Sequence, residues 1–307
     1  MQHETLTSSG SEPQATGAAV AAGAVLPPVP TAGSMPVTII RRSRGLFDLN
    51  LPGLWAYREL LFFLIWRDIK VKYKQTVVGL LWVVLQPVAT MLIFTIVFGR
   101  LAKLPTGGVP YPLFVFSGLL PWTLFAGGLA QVTASVVGNA GLISKVYFPR
   151  LIIPIASVIA GLVDFAVSLV VLGLLMAHYR YAPGLHALAI PFFILVAIGS
   201  ALAAGIWLAM LNVRFRDVQY AIPFITQAWL FLTPVAYSSS IVPVRYRALM
   251  GVNPMTSVVE GFRWAFIGGS GPWGAKSFWL SLGMVGLILV SGILFFRRTE
   301  KTFADLI

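Results

Sequence analysis

Charged residues are scarce in this chain, and cysteine is absent. Asp, Glu, Lys and Arg make up 10% of its 307 residues, whereas a soluble domain carries about 25% of such residues. Together with 58% hydrophobic residues, this scarcity excludes an ordinary soluble protein and indicates an integral membrane protein. The absence of cysteine excludes disulfides and thiolate metal sites.

The sequence also lacks the motifs of common catalytic sites. It contains no G-x-x-x-x-G-K-[ST] phosphate loop and no G-x-S-x-G nucleophile elbow. Two of its three histidines, His178 and His186, flank a short loop, and their spacing matches no metal-binding pattern. We therefore expect no ATPase site, no catalytic residue, no cofactor and no metal in this chain.

Positive charge is in excess, with a formal net charge of +12. In a soluble protein such an excess would indicate nucleic-acid binding. Here the basic residues are spread over the segments between apolar runs, where they orient the spans and contact anionic lipid. Membrane lipid is therefore an expected partner, and nucleic acid is not.

Six apolar runs are each near the ~20 residues that a transmembrane helix needs. They cover residues 77–99, 112–137, 151–177, 187–211, 219–237 and 277–296, and the fifth is the shortest. The predicted fold class is an all-α integral membrane protein with six transmembrane helices.

The distribution of Lys and Arg predicts the orientation of these spans. The segments before the first run, after the second, after the fourth and after the sixth hold 15 of the 22 Lys and Arg residues. Because cytoplasmic segments carry the excess of basic residues, both termini are predicted to be cytoplasmic.

Three regions follow from composition. Residues 1–40 are rich in Ala, Gly, Pro, Ser and Thr and predict a disordered cytoplasmic tail. Residues 41–76 form a cytoplasmic interface region, and residues 77–307 form the transmembrane domain. Within the interface region, Leu54–Trp66 is too short to span and predicts an amphipathic helix on the membrane surface. Asp68 and Lys72 are spaced i,i+4, which favours continuation of that helix.

The long segment between the fifth and sixth runs contains a short predicted helix. Asn253 is a good N-cap and Pro254 suits the first helical position. Gly268 and Gly269 should end the helix after about 13 residues, which is too few to cross a bilayer. We predict a helix that dips into the outer leaflet or lies on it.

Two charged side chains on this outer helix, Glu260 and Arg263, are spaced i,i+3 and can pair. A structural salt bridge is the favoured interpretation. The alternative is that the helix lines an exit, where Arg263 could contact phosphate or sugar acids.

Asp164 is the only acidic residue well inside a predicted span. A charge within a bilayer is costly and often functional, so a proton relay is one interpretation. No second acidic residue lies in another span to complete a relay. A structural partnership with a polar group on a neighbouring helix, or a position nearer the interface, is therefore favoured.

Aromatic residues are frequent in the spans, and most should face lipid or pack between helices. A subset that faces inward could stack on sugar rings, although the pattern does not indicate which. The aromatic residues in question are Trp82, Phe94, Phe98, Phe114, Phe116, Trp122, Phe125, Trp207, Phe224, Trp229, Phe231 and Tyr237.

Five ordered blocks carry a family resemblance: RDIKVKYKQTVVGLLWVVLQP, VPYPLFVFSGLLPWTLF, GNAGLISKVYFPRLIIPIA, LNVRFRDVQY and NPMTSVVEGFRWAF. Together they resemble the ABC-2 type permease subunits that export polysaccharides. This family includes the transmembrane subunits of O-antigen, capsule and teichoic acid exporters. The resemblance extends from about residue 55 to the C-terminus and does not include the tail.

The resemblance implies an architecture and partners. Such permeases have a cytoplasmic amphipathic interface helix, six spans, and short outer re-entrant helices between the fifth and sixth spans. They pair with a second copy of themselves, and the pair carries two copies of a separate ABC ATPase, which binds ATP and Mg. The expected location is the bacterial inner membrane.

The resemblance also implies a coupling role for LISKVYFPR, residues 142–150, which from the residues alone would be an ordinary basic anchor loop. Leu142, Ile143, Val146, Tyr147 and Phe148 are expected to form an apolar and aromatic knob that rests on the ATPase. Lys145 and Arg150 can pair with acidic residues there. Pro149 ends this helix or opens the next span.

The implied substrate is a polysaccharide, O-antigen-like or a related cell-surface glycan, tethered to an isoprenoid pyrophosphate lipid. Basic residues near the cytoplasmic entrance could attract the pyrophosphate. These residues are Arg67, Lys70, Lys72 and Lys74. Three alternatives stay open: a drug or small-lipid ABC-2 exporter, a membrane enzyme acting on lipid-linked sugars, and a proton-coupled transporter.

Overall fold

The computed structural model describes residues 55–74, 77–269, 271–272 and 276–300. In these residues the regular structure is helical, as predicted, and no strand occurs. The helices are α1 (Arg58–Tyr73), α2 (Val77–Phe94), α3 (Tyr111–Gly138), α4 (Ala140–Ile143), α5 (Ile152–Ala160), α6 (Leu162–His178), α7 (Ile190–Arg214), α8 (Val218–Leu232), α9 (Val244–Met250), α10 (Pro254–Ile267) and α11 (Lys276–Glu300). The predicted tail, residues 1–40, and the start of the interface region lie outside the described residues.

Within the described residues, five helical stretches are long and apolar enough to cross a membrane. They are Leu81–Leu101, Tyr111–Gly138, Ile152–His178, Leu185–Arg214 and Lys276–Thr299. The first joins α2 to a π-helical turn at Thr95–Leu101, and the third joins α5 to α6 across Gly161. These stretches match five of the six predicted spans.

The remaining predicted span, residues 219–237, corresponds to α8, which is 15 residues long. A helix of that length reaches only about 22 Å, less than the ~30 Å hydrocarbon core. It ends at Leu232 because Thr233 precedes Pro234, and a residue before proline is disfavoured in the helical conformation. Thr233 accordingly adopts an extended backbone, with ψ of 136°.

α3 is the central helix of the bundle. In its most apolar stretch of 18 residues, 78% of the residues are buried. The corresponding share is 17–33% in the other four long stretches. A close approach by α7 contributes to this burial: a Cβ added at Gly205 would lie 2.6 Å from Cγ1 of Val132 on α3. Glycine at this position therefore lets the α7 backbone lie against the Val132 side chain of α3.

α1 is one continuous helix that extends through the basic segment, as the spacing of Asp68 and Lys72 indicated. Leu64 is buried against the bundle, whereas Phe62, Phe63 and Trp66 on the other side are exposed. The exposed side of α1 is therefore aromatic as well as charged, and the helix is less cleanly amphipathic than predicted. Aromatic and basic side chains together suit a membrane headgroup region.

α10 begins and ends as predicted. The Asn253 side chain accepts a hydrogen bond from the Met255 amide at 3.0 Å, and Pro254 opens the helix. Gly268 and Gly269 follow the helix with φ of 86° and 102°, which glycine adopts without strain. The helix packs into the bundle, since Val258 and Phe262 are completely buried by the rest of the chain.

Candidate functional site

A groove of about 800 Å³ lies between α2, α3, α6 and α8. Aromatic rings from all four helices line it. All of them except Phe165 belong to the aromatic residues among which the sequence left the inward-facing subset open. The aromatic lining residues are Trp82, Phe94, Trp122, Phe165 and Phe231. Flat apolar rings of this kind suit the C–H faces of sugars.

Three glutamine side chains also line the groove: Gln86 on α2, Gln131 on α3 and Gln227 on α8. Within the described part of the chain, none of these side-chain amides makes a hydrogen bond. Each amide offers two donors and an acceptor. The groove can therefore hydrogen-bond a polyhydroxylated ligand while aromatic rings contact its apolar faces.

The groove opens beside the C-terminal end of α1, and this opening is called the mouth below. Asp164, in the first turn of α6, accepts hydrogen bonds there from the Lys72 ammonium and the Tyr73 hydroxyl. Burial, together with the hydrogen bond to Asp164, raises the pKa of Tyr73 above its ordinary value. The hydroxyl therefore stays protonated and donates. This geometry gives Asp164 partners on a neighbouring helix.

The other basic residues predicted at the entrance take different positions. The Arg67 guanidinium donates to the Asp68 carboxylate and, at 2.8 Å, to the Asn139 side chain. Because Asn139 joins α3 to α4, this contact ties α1 to the base of α4. Lys70 and Lys74 are exposed on α1 and do not line the groove. Of the four residues only Lys72 lines it.

The residues 144–151 form a loop between α4 and α5, called the tip loop. α4 is a single turn that ends at Ile143, well before Pro149. The Pro149 carbonyl accepts from the Ile152 amide at 3.0 Å, so proline opens the next helix rather than ending this one. Lys145, Val146 and Tyr147 project from the loop, and the Tyr147 side chain is 74% exposed.

The predicted knob is therefore smaller than its sequence suggested. Ile143 and Phe148 are buried and belong to the hydrophobic core of the bundle, so they cannot rest on a partner. Leu142 packs partly against that core, and Arg150 is only partly exposed. Two buried anchors on either side hold Lys145–Tyr147 as a fixed projection.

The predicted salt bridge between Glu260 and Arg263 is not formed. Arg263 is buried and donates instead to backbone carbonyls of Phe114, Pro234, Val235 and Tyr237. Its guanidinium also lies 3.8 Å from the centre of the Phe114 ring. The chain reversal after α8 leaves its carbonyls without helical partners, and these carbonyls take up the guanidinium donors. Arg263 is also too buried to contact substrate.

Asn253 links α8 to α10 besides capping α10. Its amide donates to the Thr233 hydroxyl at 2.8 Å, and its oxygen accepts from the Trp229 indole at 3.0 Å. We expect Asn253→Ala to lower the unfolding free energy by about 1–2 kcal/mol, because it removes a cap and two further bonds. Thermal unfolding in detergent measures the change.

The matched control for that variant is Ser240→Ala. Ser240 is exposed, and its hydroxyl bonds only its neighbour Ser238. If Asn253→Ala unfolds at the same temperature as the wild type and as Ser240→Ala, then Asn253 does not hold α8 against α10.

Several residues of the site were not identified from sequence. Tyr73 and Asn139 are polar residues whose partners lie 91 and 72 positions away in the chain, so no local pattern marks them. The three glutamines carried a usable signal, because an uncharged amide within an apolar run is costly unless it has a polar neighbour.

The fold and the groove define a class: a multi-pass helical membrane protein with a groove that is lined by aromatic rings and amides and bordered by a lysine. The ABC-2 type transporter family matches residues 59–267. The match includes α1, the groove, the tip loop and α10. The chain belongs to this family of membrane transport proteins.

Its relatives are export permeases. It is 32% identical to an O-antigen export system permease protein of Myxococcus xanthus, over 69% of this chain and 82% of the relative. It is 28% identical to an O-antigen export system permease protein of Klebsiella pneumoniae, over 81% and 95%. A polysialic acid transport protein of Escherichia coli is 23% identical over 76% and 91%.

Proposed function

We propose that this chain is the membrane permease subunit of an ATP-driven exporter that moves a lipid-linked polysaccharide across the bacterial inner membrane. The observation that carries the proposal is the groove, which aromatic rings and glutamine amides line together. Several amides beside flat apolar rings suit a polyhydroxylated ligand such as a glycan. The names of the relatives support an O-antigen-like or related glycan.

The proposal includes a sixth crossing made by α8 and the segment after it. Just before α8, Asn212 donates to the Thr133 carbonyl near the end of α3, at 3.2 Å. Just after α8, the Val235 carbonyl accepts a hydrogen bond from Arg263, and Arg263 also donates to the Phe114 carbonyl near the start of α3. The chain therefore runs the depth of α3 between these points. Six crossings put both termini on one side, and the basic residues favour the cytoplasm.

A second copy of the chain closes the groove in this proposal. Gln86 and Gln227 are exposed on the open side, beside apolar residues of α2 and α8. Lipid cannot hydrogen-bond these amides, so leaving them against lipid is costly. Two grooves that face each other across a dimer would enclose a polar path and remove both amides from lipid.

In this proposal, the ATPase partner supplies the energy for export. Each of two ABC ATPase subunits binds ATP and Mg and rests against a tip loop through Lys145–Tyr147. When the ATPases close on ATP, the tip loops move with them. The Arg67–Asn139 contact passes this motion to α1, and α1 adjoins the mouth of the groove.

Removing the amides tests the function of the groove. In a strain that depends on this chain, we expect the double variant Gln86→Leu/Gln227→Leu to accumulate lipid-linked polysaccharide inside the cell. Surface glycan should fall at least tenfold, while the amount of permease in the membrane stays normal. The readouts are glycan immunoblotting of surface and cytoplasmic fractions and quantification of the permease.

The matched control is Gln219→Leu, since Gln219 is exposed on α8 but does not line the groove. This variant should export normally. Normal surface glycan in the double variant would contradict a polysaccharide path through this groove.

A further inference from the structure

The ion pair between Lys72 and Asp164 occupies the mouth of the groove, and both side chains line it. Side-chain exposure is 43% for Lys72 and 27% for Asp164. The pair is thus within reach of whatever enters the groove. An ion pair that is partly solvated is weak, so a ligand with more negative charge than one carboxylate can compete for the ammonium.

The neighbouring basic residues do not share this position. Arg67 is held by Asp68 and Asn139, and Lys70 and Lys74 lie on exposed faces of α1 outside the groove. Lys72 is therefore the cation that an anionic group at the mouth reaches, and Asp164 is one of its partners there.

Asp164 has two hydrogen-bond donors at the mouth, so it can lose one and keep the other. Its second oxygen accepts a hydrogen bond from the Tyr73 hydroxyl, which belongs to the same α1 helix as Lys72. If Lys72 turns to another anion, the carboxylate keeps a donor and α1 keeps a contact with α6. The loss of the ion pair therefore leaves neither a bare buried carboxylate nor a detached helix.

We propose that Lys72 and Asp164 form an exchange site for a lipid-linked phosphate group. The pyrophosphate of an isoprenoid-linked glycan takes the Lys72 ammonium from Asp164 as it enters the mouth, and Asp164 takes it back when the pyrophosphate leaves. Asp164 is thus a competitor that limits affinity and permits release. This site rests on the proposed function and names the part of the substrate that the mouth binds.

The test is a binding measurement on the full chain in nanodiscs of neutral lipid. The probe is a radiolabelled long-chain isoprenyl pyrophosphate. We expect Asp164→Asn, which keeps the shape and the bond to Tyr73, to bind about threefold to tenfold tighter. Lys72→Gln should bind more weakly by at least as large a factor, and Lys72→Arg should keep most of the affinity.

Controls separate the exchange site from general charge effects. Arg58→Gln removes one positive charge from the exposed surface of α1 and should leave the affinity unchanged. Unlabelled isoprenyl pyrophosphate should displace the probe, whereas the uncharged isoprenol, inorganic pyrophosphate and phosphatidylglycerol should displace it poorly. Equal displacement by phosphatidylglycerol would show a site for any anionic headgroup and overturn the assignment.

The remaining outcomes distinguish two failures. If the wild type does not bind the probe at all, the proposed substrate is wrong. If the wild type binds but Lys72→Gln binds equally well, or Asp164→Asn binds more weakly, the exchange site is wrong and the exporter function is untouched. Should Asp164→Asn fail to fold, the contrast between Lys72→Gln and Lys72→Arg decides the question.

Discussion

We expect Lys145→Glu to abolish export and to release the ATPase from the purified complex. Lys145 is exposed in the tip loop. Within the described part of the chain, its side chain makes no hydrogen bond or ion pair on which the fold depends. In the proposed complex, reversing its charge replaces attraction to acidic residues of the ATPase with repulsion, and like charges brought together at an interface are strongly unfavourable. Surface glycan should fall at least tenfold, and the ATPase should no longer co-purify in mild detergent.

Two variants sharpen this result. Tyr147→Ala removes an exposed aromatic contact without changing charge, and it should weaken the association less than the charge reversal does. Lys103→Glu reverses an exposed charge on the loop between α2 and α3, at the opposite end of α3. It should keep both the ATPase and export. Retention of the ATPase by Lys145→Glu would exclude the tip loop as the coupling element.

We expect Arg263→Ala to destabilise the protein strongly, because this buried side chain holds the segment that follows α8. It leaves the carbonyls of Pro234 and Val235 without their donor in a buried place, whereas the Phe114 carbonyl keeps the Ser117 hydroxyl as a donor. Each such group costs about 1–3 kcal/mol, so the loss of unfolding free energy should reach about 3 kcal/mol or more. Thermal unfolding in nanodiscs measures it, and export should fall because the C-terminal end of α8 loses its support.

Lysine at this position keeps the positive charge but lacks the planar fork of donors. Arg263→Lys should therefore fall between the wild type and the alanine variant. The matched control is Arg247→Ala, since Arg247 is exposed and bonds only the Val242 and Ser240 carbonyls. It should unfold close to the wild-type temperature. Equal stability of Arg263→Ala and Arg247→Ala would contradict the structural role of Arg263.

Local signals predicted much of this fold. The spans follow from hydropathy, and the limits of α10 follow from Asn253, Pro254 and Gly268, because caps and breakers act within a few residues. The continuation of α1 through Asp68 and Lys72 has the same origin. In each case the residues that decide the structure are neighbours in sequence.

Contacts between distant segments account for what the sequence did not predict. Arg263 was paired with its neighbour Glu260, but carbonyls 26 to 29 residues away, and one 149 residues away, hold it instead. Ile143 and Phe148 were expected at a partner surface, yet the bundle offers a nearer apolar environment. Asp164 was recognised as unusual, while its partner Lys72 lies 92 residues away on α1.

The most direct measurement of the central claim is transport by the reconstituted complex. The chain and its ATPase are placed in liposomes, and the movement of a labelled lipid-linked polysaccharide to the far side is followed. Movement should require hydrolysable ATP, should be lost with Lys145→Glu and should be unaffected when the proton gradient is collapsed. Movement that continues without ATP, or that follows the proton gradient, would contradict an ATP-driven polysaccharide exporter.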